Sequence, residues 1–368
     1  MVQKKAIDTI LDALVNDQVS DIHFKVGATP IVRSGGSIIH AEGYPSFTVQ
    51  HLNQIINEVT NEDQRGRLNV GEEVDLAYSV KGKARFRVNI FDQRGTPAIV
   101  MRKIPFQIPQ LDELGLPAVV RRICSEQRGL ILVTGATGSG KSTTLAAMID
   151  EINKTREAHI VTIEDPIEFL HPDKKCSICQ REVGIDTHSW PSALRSVFRQ
   201  DPDVILIGEM RDAETAQIAL SGAETGHLVM STLHTTDGPE TINRIIDMFP
   251  SHQQKQIRMQ LAGLLKAVIS QRLLPLKDSD GRALACEVMT HTATIANCIS
   301  DTEKFHLLHE TMEQGANQYG MQTFDMCLLD LLRSEKIDED TALAAATNPN
   351  ALILKIKGVE SADDWRAE

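Results

Sequence analysis

Residues 135–142 constrain the fold more than any other part of the chain, because their sequence, GATGSGKS, fits the nucleotide-binding pattern G-x-x-x-x-G-K-[ST]. The apolar run at residues 130–133 predicts a strand before this segment, and residues 143–148 predict the opening of a helix after it. Glycines let successive backbone amides turn towards phosphate groups, and the positive end of the helix faces the same anion. The chain is therefore predicted to bind a nucleoside triphosphate.

The chemistry of phosphoryl transfer assigns roles within this loop. Lys141 is expected to hold the β- and γ-phosphate oxygens, and Ser142 is expected to ligate Mg²⁺. ATP and Mg²⁺ are thus the expected cofactors. The predicted nucleotide contacts come from nine consecutive residues: Gly135, Ala136, Thr137, Gly138, Ser139, Gly140, Lys141, Ser142 and Thr143.

The composition limits the classes of protein to consider. A length of 368 residues suggests about two domains. Aromatic residues make up only 4%, which favours aliphatic packing of helices on a buried sheet over an aromatic-rich β-sandwich or a base-stacking surface. The net charge of −12 argues against a broad basic surface for nucleic acid or anionic lipid. We therefore expect no nucleic-acid partner.

The apolar segments and the cysteines predict a cytoplasmic protein. No apolar run approaches the length that crosses a bilayer, and the first five residues, MVQKK, precede an amphipathic helix pattern rather than a secretory signal. The six cysteines are scattered, which favours reduced thiols. Cys176 and Cys179 form a C-x-x-C, but a zinc site needs two more ligands at matched spacing, so none is predicted.

Hydrophobic periodicity divides the chain into successive parts. A helix pattern at about residues 5–17 and several alternating strand patterns predict a small antiparallel α+β unit. The stretch from Ile104 to Pro109 is punctuated by prolines, which break helix and sheet, and is the predicted linker. Beyond it, apolar strands alternate with helices, which predicts a parallel sheet covered on both faces. The predicted parts are residues 1–102 (N-terminal domain), 103–115 (linker), 116–275 (ATPase core) and 276–368 (mainly helical region).

Acidic residues follow two of the predicted strands and supply the catalytic candidates. The apolar strand at residues 203–207 continues into Gly208 and Glu209, where an NTPase holds the residue that acts on the attacking water. Glu209 is the predicted catalytic base, and Gly208 replaces the usual metal-side aspartate. An acidic cluster after the strand at 160–163 is expected at the same sheet edge, and a capped turn is the alternative explanation for it. The candidates for the metal and water network are Glu164, Asp165 and Glu168.

Two histidines flank the next predicted strand, residues 228–233. His227 and His234 are candidate γ-phosphate sensors, since histidine can bridge or switch near neutral pH. A hydrogen-bonded histidine without a catalytic role is the alternative for either position.

Several motifs occur in a fixed order along the chain. They are GATGSGKS at 135–142, IEDPIE at 163–168, QREVG at 180–184, RQDPD at 199–203, GEMRD at 208–212, ETGH at 224–227 and LHT at 233–235. The series resembles the secretion ATPases that power type IV pili, and within them the retraction, or twitching motility, branch of PilT and PilU proteins. The resemblance implies an α/β fold: a RecA-like P-loop NTPase domain preceded by a small PAS-like α+β domain, in a hexameric ring where each PAS-like domain packs on the neighbouring subunit.

The resemblance also assigns roles to residues. The acidic cluster matches the family's Asp box, Gly208 and Glu209 its atypical Walker B motif, and His227 and His234 its His box. Arginines of the N-terminal domain are expected to reach the nucleotide, although alternating charge on a strand by itself indicates a solvated face. The matching positions are Arg87 and Arg102, with Arg85 and Arg94 as nearby alternatives. Two roles are open for a further set of arginines: they support the phosphate site, or they form structural ion pairs. These residues are Arg195, Arg199 and Arg211.

The implied function is a hexameric, ATP-hydrolysing motor that drives pilus retraction at the cytoplasmic face of the inner membrane. The implied partners are an inner-membrane platform protein of the pilus and a paralogous retraction ATPase. The chain lacks the four-cysteine zinc insertion of pilus assembly ATPases, which favours retraction. A motor for pilus extension, type II secretion or DNA transfer is one alternative. A non-catalytic ATP-binding ring component is another, against which the intact Lys141, Ser142 and Glu209 argue.

One tract departs from the branch. Retraction ATPases commonly carry Ala-Ile-Arg-Asn-Leu-Ile-Arg-Glu, whereas residues 294–301 here are TIANCISD. Ala296 and Ser300 stand where that tract has arginines. This leaves open whether the protein is the principal motor or an accessory of the PilU type.

Overall fold

The structure is a computed structural model that describes residues 5–16, 18–35, 37–80, 83–104, 107–279 and 281–357. Pro105 of the predicted linker and the first four residues lie outside these ranges. The chain divides into two compact units after Gln107, and the short segment Glu168–Leu170 groups with the first unit. No described helix has the length and apolar character needed to span a membrane.

The first unit is an antiparallel sheet with helices on one face. Its strand order is β3-β2-β1-β6-β5-β4, and neighbouring strands pair antiparallel throughout. Alternate residues of each strand point to one face, where Phe24 and Phe86 pack with Ile7 and Leu52 from the helices. The elements are α1 (Ala6–Leu14), β1 (Val19–Lys25), β2 (Ile31–Ser34), β3 (Ser37–His40), α2 (Val49–Val59), α3 (Glu62–Asn69), β4 (Val74–Val80), β5 (Ala84–Gln93) and β6 (Thr96–Ile104).

The second unit is a mixed sheet with helices on both faces. Its order is β13-β12-β7-β11-β10-β8-β9, and only the edge pair β13 and β12 is antiparallel. The elements are α4 (Val119–Ile123), β7 (Gly129–Thr134), α5 (Lys141–Thr155), β8 (His159–Glu164), β9 (Ser177–Glu182), α6 (Trp190–Val197), β10 (Val204–Ile207), α7 (Ala213–Glu224), β11 (Leu228–Leu233), α8 (Gly238–Asp247), α9 (Ser251–Leu264), β12 (Leu265–Pro275), β13 (Arg282–Thr290), α10 (Ala293–Ser300), α11 (Leu308–Gln314), α12 (Ala316–Tyr319), α13 (Phe324–Arg333), α14 (Glu339–Ala345) and α15 (Pro349–Ile356), with 3-10 turns at Leu111–Leu114 and Phe305–Leu307.

The central strands of the second unit are buried on both sides. In β7, Leu130 and Leu132 belong to the core beneath α6 to α11, whereas Ile131 and Val133 belong to the core beneath α5 and the C-terminal helices. A continuous apolar run is what a strand needs when both of its faces are covered. The predicted α/β fold is confirmed.

The unit boundaries differ from those expected from the sequence. Strand β6 continues to Ile104, so residues 103 and 104 belong to the first sheet and not to a linker. Leu111 is already buried in the core of the second unit. The central sheet also extends past residue 275, because β13 pairs with residues 267–275 of β12. The region after 275 therefore begins with a strand before it becomes helical.

Candidate nucleotide-binding and catalytic site

Four adjacent parallel strands bring the predicted motifs to one edge of the second sheet. The strands β7, β11, β10 and β8 are neighbours in that order, and their carboxyl ends carry, respectively, residues 135–142 (the P-loop), His234, Glu209 and Glu164. Neighbouring strands lie about 4.8 Å apart, so β7 and β10 are separated by about 10 Å. Ligands of open α/β sheets bind at this edge, outside the carboxyl ends of the strands.

The P-loop joins β7 to α5 in the conformation that a phosphate site requires. Gly135 has φ +140°, and a Cβ atom there would lie 2.4 Å from the Gln271 carbonyl oxygen, so only glycine fits. Lys141 is buried, and its Nζ donates to the carbonyl oxygens of Gly135 at 2.8 Å and Ala136 at 3.0 Å. The lysine is thus held inside the curve of the loop, at the N-terminus of α5.

The loop has the hydrogen-bond donors that a nucleotide phosphate needs. Within the described residues, the buried Ser139 Oγ has no hydrogen-bond partner, and the half-buried Ser142 and Thr143 stand in the first turn of α5. Buried polar atoms normally find partners, so an unpartnered hydroxyl in such a loop suits an incoming phosphate oxygen. A helix N-terminus and a lysine ammonium group add positive charge at the same place. The residues therefore fit ATP, with Ser142 as the candidate ligand for Mg²⁺.

Glu209 is the centre of a charged group that follows β10. Its Oε2 accepts from Arg211 Nε at 2.8 Å and Arg211 Nη2 at 2.7 Å, and its Oε1 lies 3.1 Å from His234 Nε2. The hydrogen bonds that Arg211 donates to Glu209 raise the pKa of Arg211 most, and the charge of Asp165 adds to this. The predicted base is thus in contact with His234 from the end of the next strand.

A cavity of about 410 Å³ opens beside Glu209. Its volume lies within the range of small-molecule sites, although the P-loop is not part of its wall. Arg244 and Glu240, both on α8, are wall residues that the sequence reasoning missed, because on an amphipathic helix they look like ordinary exposed charges. The lining residues are Glu209, Met210, Arg211, Leu233, His234, Thr235, Glu240 and Arg244.

The three acids after β8 do not share one environment. Glu164 lies at the strand end, where its Oε1 accepts from Thr162 Oγ1 at 2.6 Å and Gln180 Nε2 at 3.1 Å. Asp165 is exposed beside Arg211, whereas Glu168 belongs to the segment that groups with the first unit. In the described part of the chain, no three acid, histidine or cysteine side chains form a metal cluster. Mg²⁺ usually relies on one or two carboxylates, water and the substrate phosphates, so Glu164 and Ser142 are the candidates that this edge provides.

The structure separates His227 from the other site residues. His227 lies before the amino end of β11, and its Nδ1 is 3.0 Å from the Gly222 carbonyl oxygen. The six residues of β11 put about 20 Å between it and the edge that carries His234. Its ring also packs against Phe198, with centroids 5.6 Å apart. The expected contact between His227 and the nucleotide is not supported within one subunit, because the parallel strand carries it to the opposite edge.

Three candidate arginines of the first unit, Arg85, Arg87 and Arg102, lie on one face of its sheet. Arg87 and Arg102 are directly paired across β5 and β6. Arg102 Nε donates to Asp21 Oδ1 at 2.8 Å, while Arg87 Nε lies 3.9 Å from Asp75 Oδ1. The further candidates of this unit are Arg85, on β5 beside Ile104, and Arg94, which has φ +50° in the turn between β5 and β6.

Two further arginines of the second unit have surface positions. Arg195 Nη1 donates to Glu214 at 3.3 Å, which favours the structural ion pair for this residue. Arg199 is exposed just after α6. Of the three arginines left open by the sequence, only Arg211 contacts the predicted base.

Gln271 was missed by the sequence reasoning and lies behind the P-loop. Its Nε2 donates to Thr144 Oγ1 at 2.7 Å in α5, and its side chain is buried. It therefore connects β12 to the helix that carries Lys141. Its neighbours in β12 are Ser270 and Arg272, so no local pattern in the sequence singled it out.

Comparison with known proteins identifies the family. Residues 2–328 match the family described as Type II/IV secretion system protein. The chain belongs to this family. It is 44% identical over 330 residues to the type IV pilus retraction ATPase PilT of Pseudomonas aeruginosa. The aligned region covers 90% of this chain and 95% of PilT. It is 40% identical over 358 residues to the type IV pilus ATPase PilU of the same organism, covering 97% of this chain and 93% of PilU.

A solved structure supports the same assignment. The crystal structure of the pilus retraction motor PilT with bound ADP is similar to this chain with a TM-score of 0.84 and 43% identity, covering 95% of this chain and 99% of that one. The P-loop geometry and the family together establish a secretion ATPase, as the sequence predicted. The individual roles of the site residues remain predictions.

Proposed function

We propose that this protein is a hexameric motor that hydrolyses ATP to retract a type IV pilus. The observation that carries the proposal is the similarity to PilT along nearly the whole chain, together with an intact P-loop and Glu209 at one sheet edge. Partial matches confined to a P-loop would support only nucleotide binding. Similarity through both units also favours a shared mechanical task.

The proposed hydrolysis assigns one step to each group at the edge. Lys141 and the loop amides hold the phosphates, and Ser142 would hold Mg²⁺, which would supply positive charge to stabilise the phosphates during hydrolysis. Glu209 orients the attacking water and accepts its proton. His234 holds Glu209 Oε1 in place at 3.1 Å. Glu164, fixed by Thr162 and Gln180, would contribute a carboxylate to the Mg²⁺ site, partly through water.

The motor is proposed to act as a ring at the cytoplasmic face of the inner membrane, on the platform protein at the pilus base. Arg87 and Arg102 of one subunit are proposed to complete the nucleotide site of its neighbour. Closure of that site rotates one rigid unit against the next, which is a common form of bistable switching. The similarity to retraction ATPases and the arginine-bearing sheet face support this arrangement.

Complementation tests the proposal directly. A strain that lacks its own retraction ATPases receives either this gene or its Lys141→Ala variant. Each is tested in two backgrounds, one without and one with a PilU-type partner ATPase. We expect restored twitching with the intact gene in at least one background and none with the variant. Restored piliation of a strain that lacks its assembly ATPase, without any restored twitching, would instead show an extension motor.

The residues of α10 favour an accessory role, in which the protein acts in retraction together with a second ATPase. Ala296 and Ser300 stand one turn apart on this helix, and both are half-buried. Two arginines at these positions would make a basic stripe, and complementary charge mainly sets docking rate and partner choice. We therefore propose that the protein hydrolyses ATP but needs a paralogous retraction ATPase to move the pilus. Full twitching with this gene as the sole retraction ATPase would refute the accessory role and leave the retraction function intact.

A further inference from the structure

A buried carboxylate lies next to the loop that carries His234. Glu287, on β13, is only 1% exposed, and its Oε1 accepts from the backbone amide of Gly238 at 2.8 Å. Gly238 is the first residue of α8, and the next residue, Pro239, has no amide hydrogen. The amide of Glu240 donates to the Asp237 side chain at 2.8 Å. Glu287 therefore accepts the hydrogen bond of the Gly238 amide, which the capping residue Asp237 leaves unpaired. Its negative charge also complements the helix dipole.

The connection from α8 back to Glu209 is short. Strand β11 ends at Leu233, and only four residues, including His234, separate it from α8. The segment is tied to the helix because Thr235 Oγ1 lies 2.7 Å from Thr241 Oγ1, and Thr236 Oγ1 donates to Glu240 at 2.5 Å. A displacement of the α8 N-terminus therefore displaces His234, which lies 3.1 Å from Glu209.

The second oxygen of Glu287 faces a histidine from another element. His309 Nε2, on α11, lies 3.5 Å from Glu287 Oε2, the separation of an ion pair, and the His309 side chain is 40% exposed. Glu287 raises the pKa of His309 above its ordinary value of 6.5, although burial opposes this. The other charged groups that act on His309 are Asp237, before α8, and Asp325, on α13, and both favour the protonated ring.

We propose that Glu287 is a positioning residue for ATP hydrolysis, which holds the N-terminus of α8 and thereby keeps His234 against Glu209. His309 is the ionic partner that holds the carboxylate in this position. The inference rests on the role proposed for Glu209. The buried contact at the N-terminus of α8 then controls the geometry of the base.

A double-mutant cycle tests the connection. Glu287→Gln keeps the shape and an acceptor for Gly238 but removes the charge, and His234→Gln removes the group through which Glu287 acts. A hydrogen bond to a charged acceptor is stronger than one to a neutral acceptor, so Glu287→Gln weakens the bond from Gly238. If that difference is lost from the transition state, kcat falls about tenfold. We expect this loss for Glu287→Gln in the wild-type background, a loss of less than about twofold in the His234→Gln background, and unchanged ATP binding in both.

Matched controls separate positioning from folding. Glu310→Gln alters an exposed glutamate on α11 next to His309 and is expected to keep wild-type kcat. The proposal would be overturned if Glu287→Gln lowered kcat by the same factor in the wild-type and His234→Gln backgrounds, or if it lowered kcat in neither. A parallel loss of ATP binding, thermal stability and turnover would also overturn it. The turnover of Glu209→Gln separately tests whether Glu209 is the base.

The pH profile gives an independent readout. The ion pair is complete below the ordinary pKa of histidine and is lost as the pH rises through the raised pKa of His309. We expect wild-type kcat to fall over that upper range, and His309→Gln to lack this fall and to show the lower kcat throughout. His306→Gln, which alters an exposed histidine three residues earlier, is expected to follow the wild type. A His309→Gln profile that keeps the same fall would overturn the role of His309.

Discussion

Replacement of Glu209 by glutamine is the sharpest test of the catalytic assignment. Glutamine keeps the length of the side chain and one oxygen that accepts a hydrogen bond, but it cannot take a proton from water. Loss of a general base reduces kcat by about 10²–10⁴, which corresponds to about 3–5 kcal/mol. The lost ion pairs with Arg211 and His234 are too small to explain such a change through unfolding, because both partners are about half-exposed and each such pair contributes about 0–1 kcal/mol.

The assay compares phosphate release with nucleotide binding. We expect ATP binding to stay within about twofold of wild type, because Lys141 and the loop belong to β7 and α5, two strands away from Glu209. Glu214→Gln is the matched control, since Glu214 contacts only the exposed Arg195 among its described ion pairs and should leave kcat unchanged. Turnover of Glu209→Gln within a few-fold of wild type would refute the role of the base, and a proportional loss of ATP binding would place Glu209 in substrate binding instead.

Three further predictions follow from the same contacts. Lys141→Ala should weaken ATP binding itself, measured by titration with a fluorescent ATP analogue, because it removes the ammonium group that the loop encloses; unchanged binding would contradict this. Arg87→Ala rings should form but hydrolyse poorly, and should recover activity after subunit exchange with Lys141→Ala if the site is shared between subunits; no recovery after proven exchange would count against sharing. Arg102→Ala should destabilise the first unit by about 1–2 kcal/mol, since it removes a charged hydrogen bond from the buried Asp21. Burial opposes ionisation of Asp21, but Arg102 and Ser20 outweigh it and lower its pKa, so this stability is present above the ordinary value of 3.8 and is lost as the pH falls through the lowered pKa; equal acid unfolding of variant and wild type would refute the assignment.

The strands of the second unit were predictable because their signals are local. Residues 130–133 are apolar without interruption and are soon followed by a glycine-rich loop, and the structure has β7 over Gly129–Thr134. The hairpin of β12 and β13 was missed for a physical reason. β12 follows α9 without a loop, since α9 ends at Leu264 and β12 begins at Leu265, so no turn residue marks the change from helix to strand.

The site residues were predictable where strand ends determine their position. Glu209 and His234 follow adjacent parallel strands, so their meeting follows from the order β11-β10 once the sheet is known. His227 precedes β11, so the same rule places it at the amino edge of the sheet, away from the ligand. Glu287 could not be predicted, because its contact with Gly238 joins residues 49 positions apart through the unforeseen strand β13.

The missing aspartate before Glu209 has a structural explanation that the sequence does not contain. Gly208 follows β10, and its amide donates to the Ile163 carbonyl oxygen at 2.8 Å. A Cβ atom at this position would lie 3.3 Å from that oxygen, 3.3 Å from the Trp190 ring and 3.4 Å from the Glu164 Cα atom. These contacts are close for a Cβ atom, and a carboxylate would need still more room beside Glu164. The tight approach of β10 to β8 therefore favours glycine here, and it is consistent with our proposal that Glu164, from the neighbouring strand, takes the missing metal-side role.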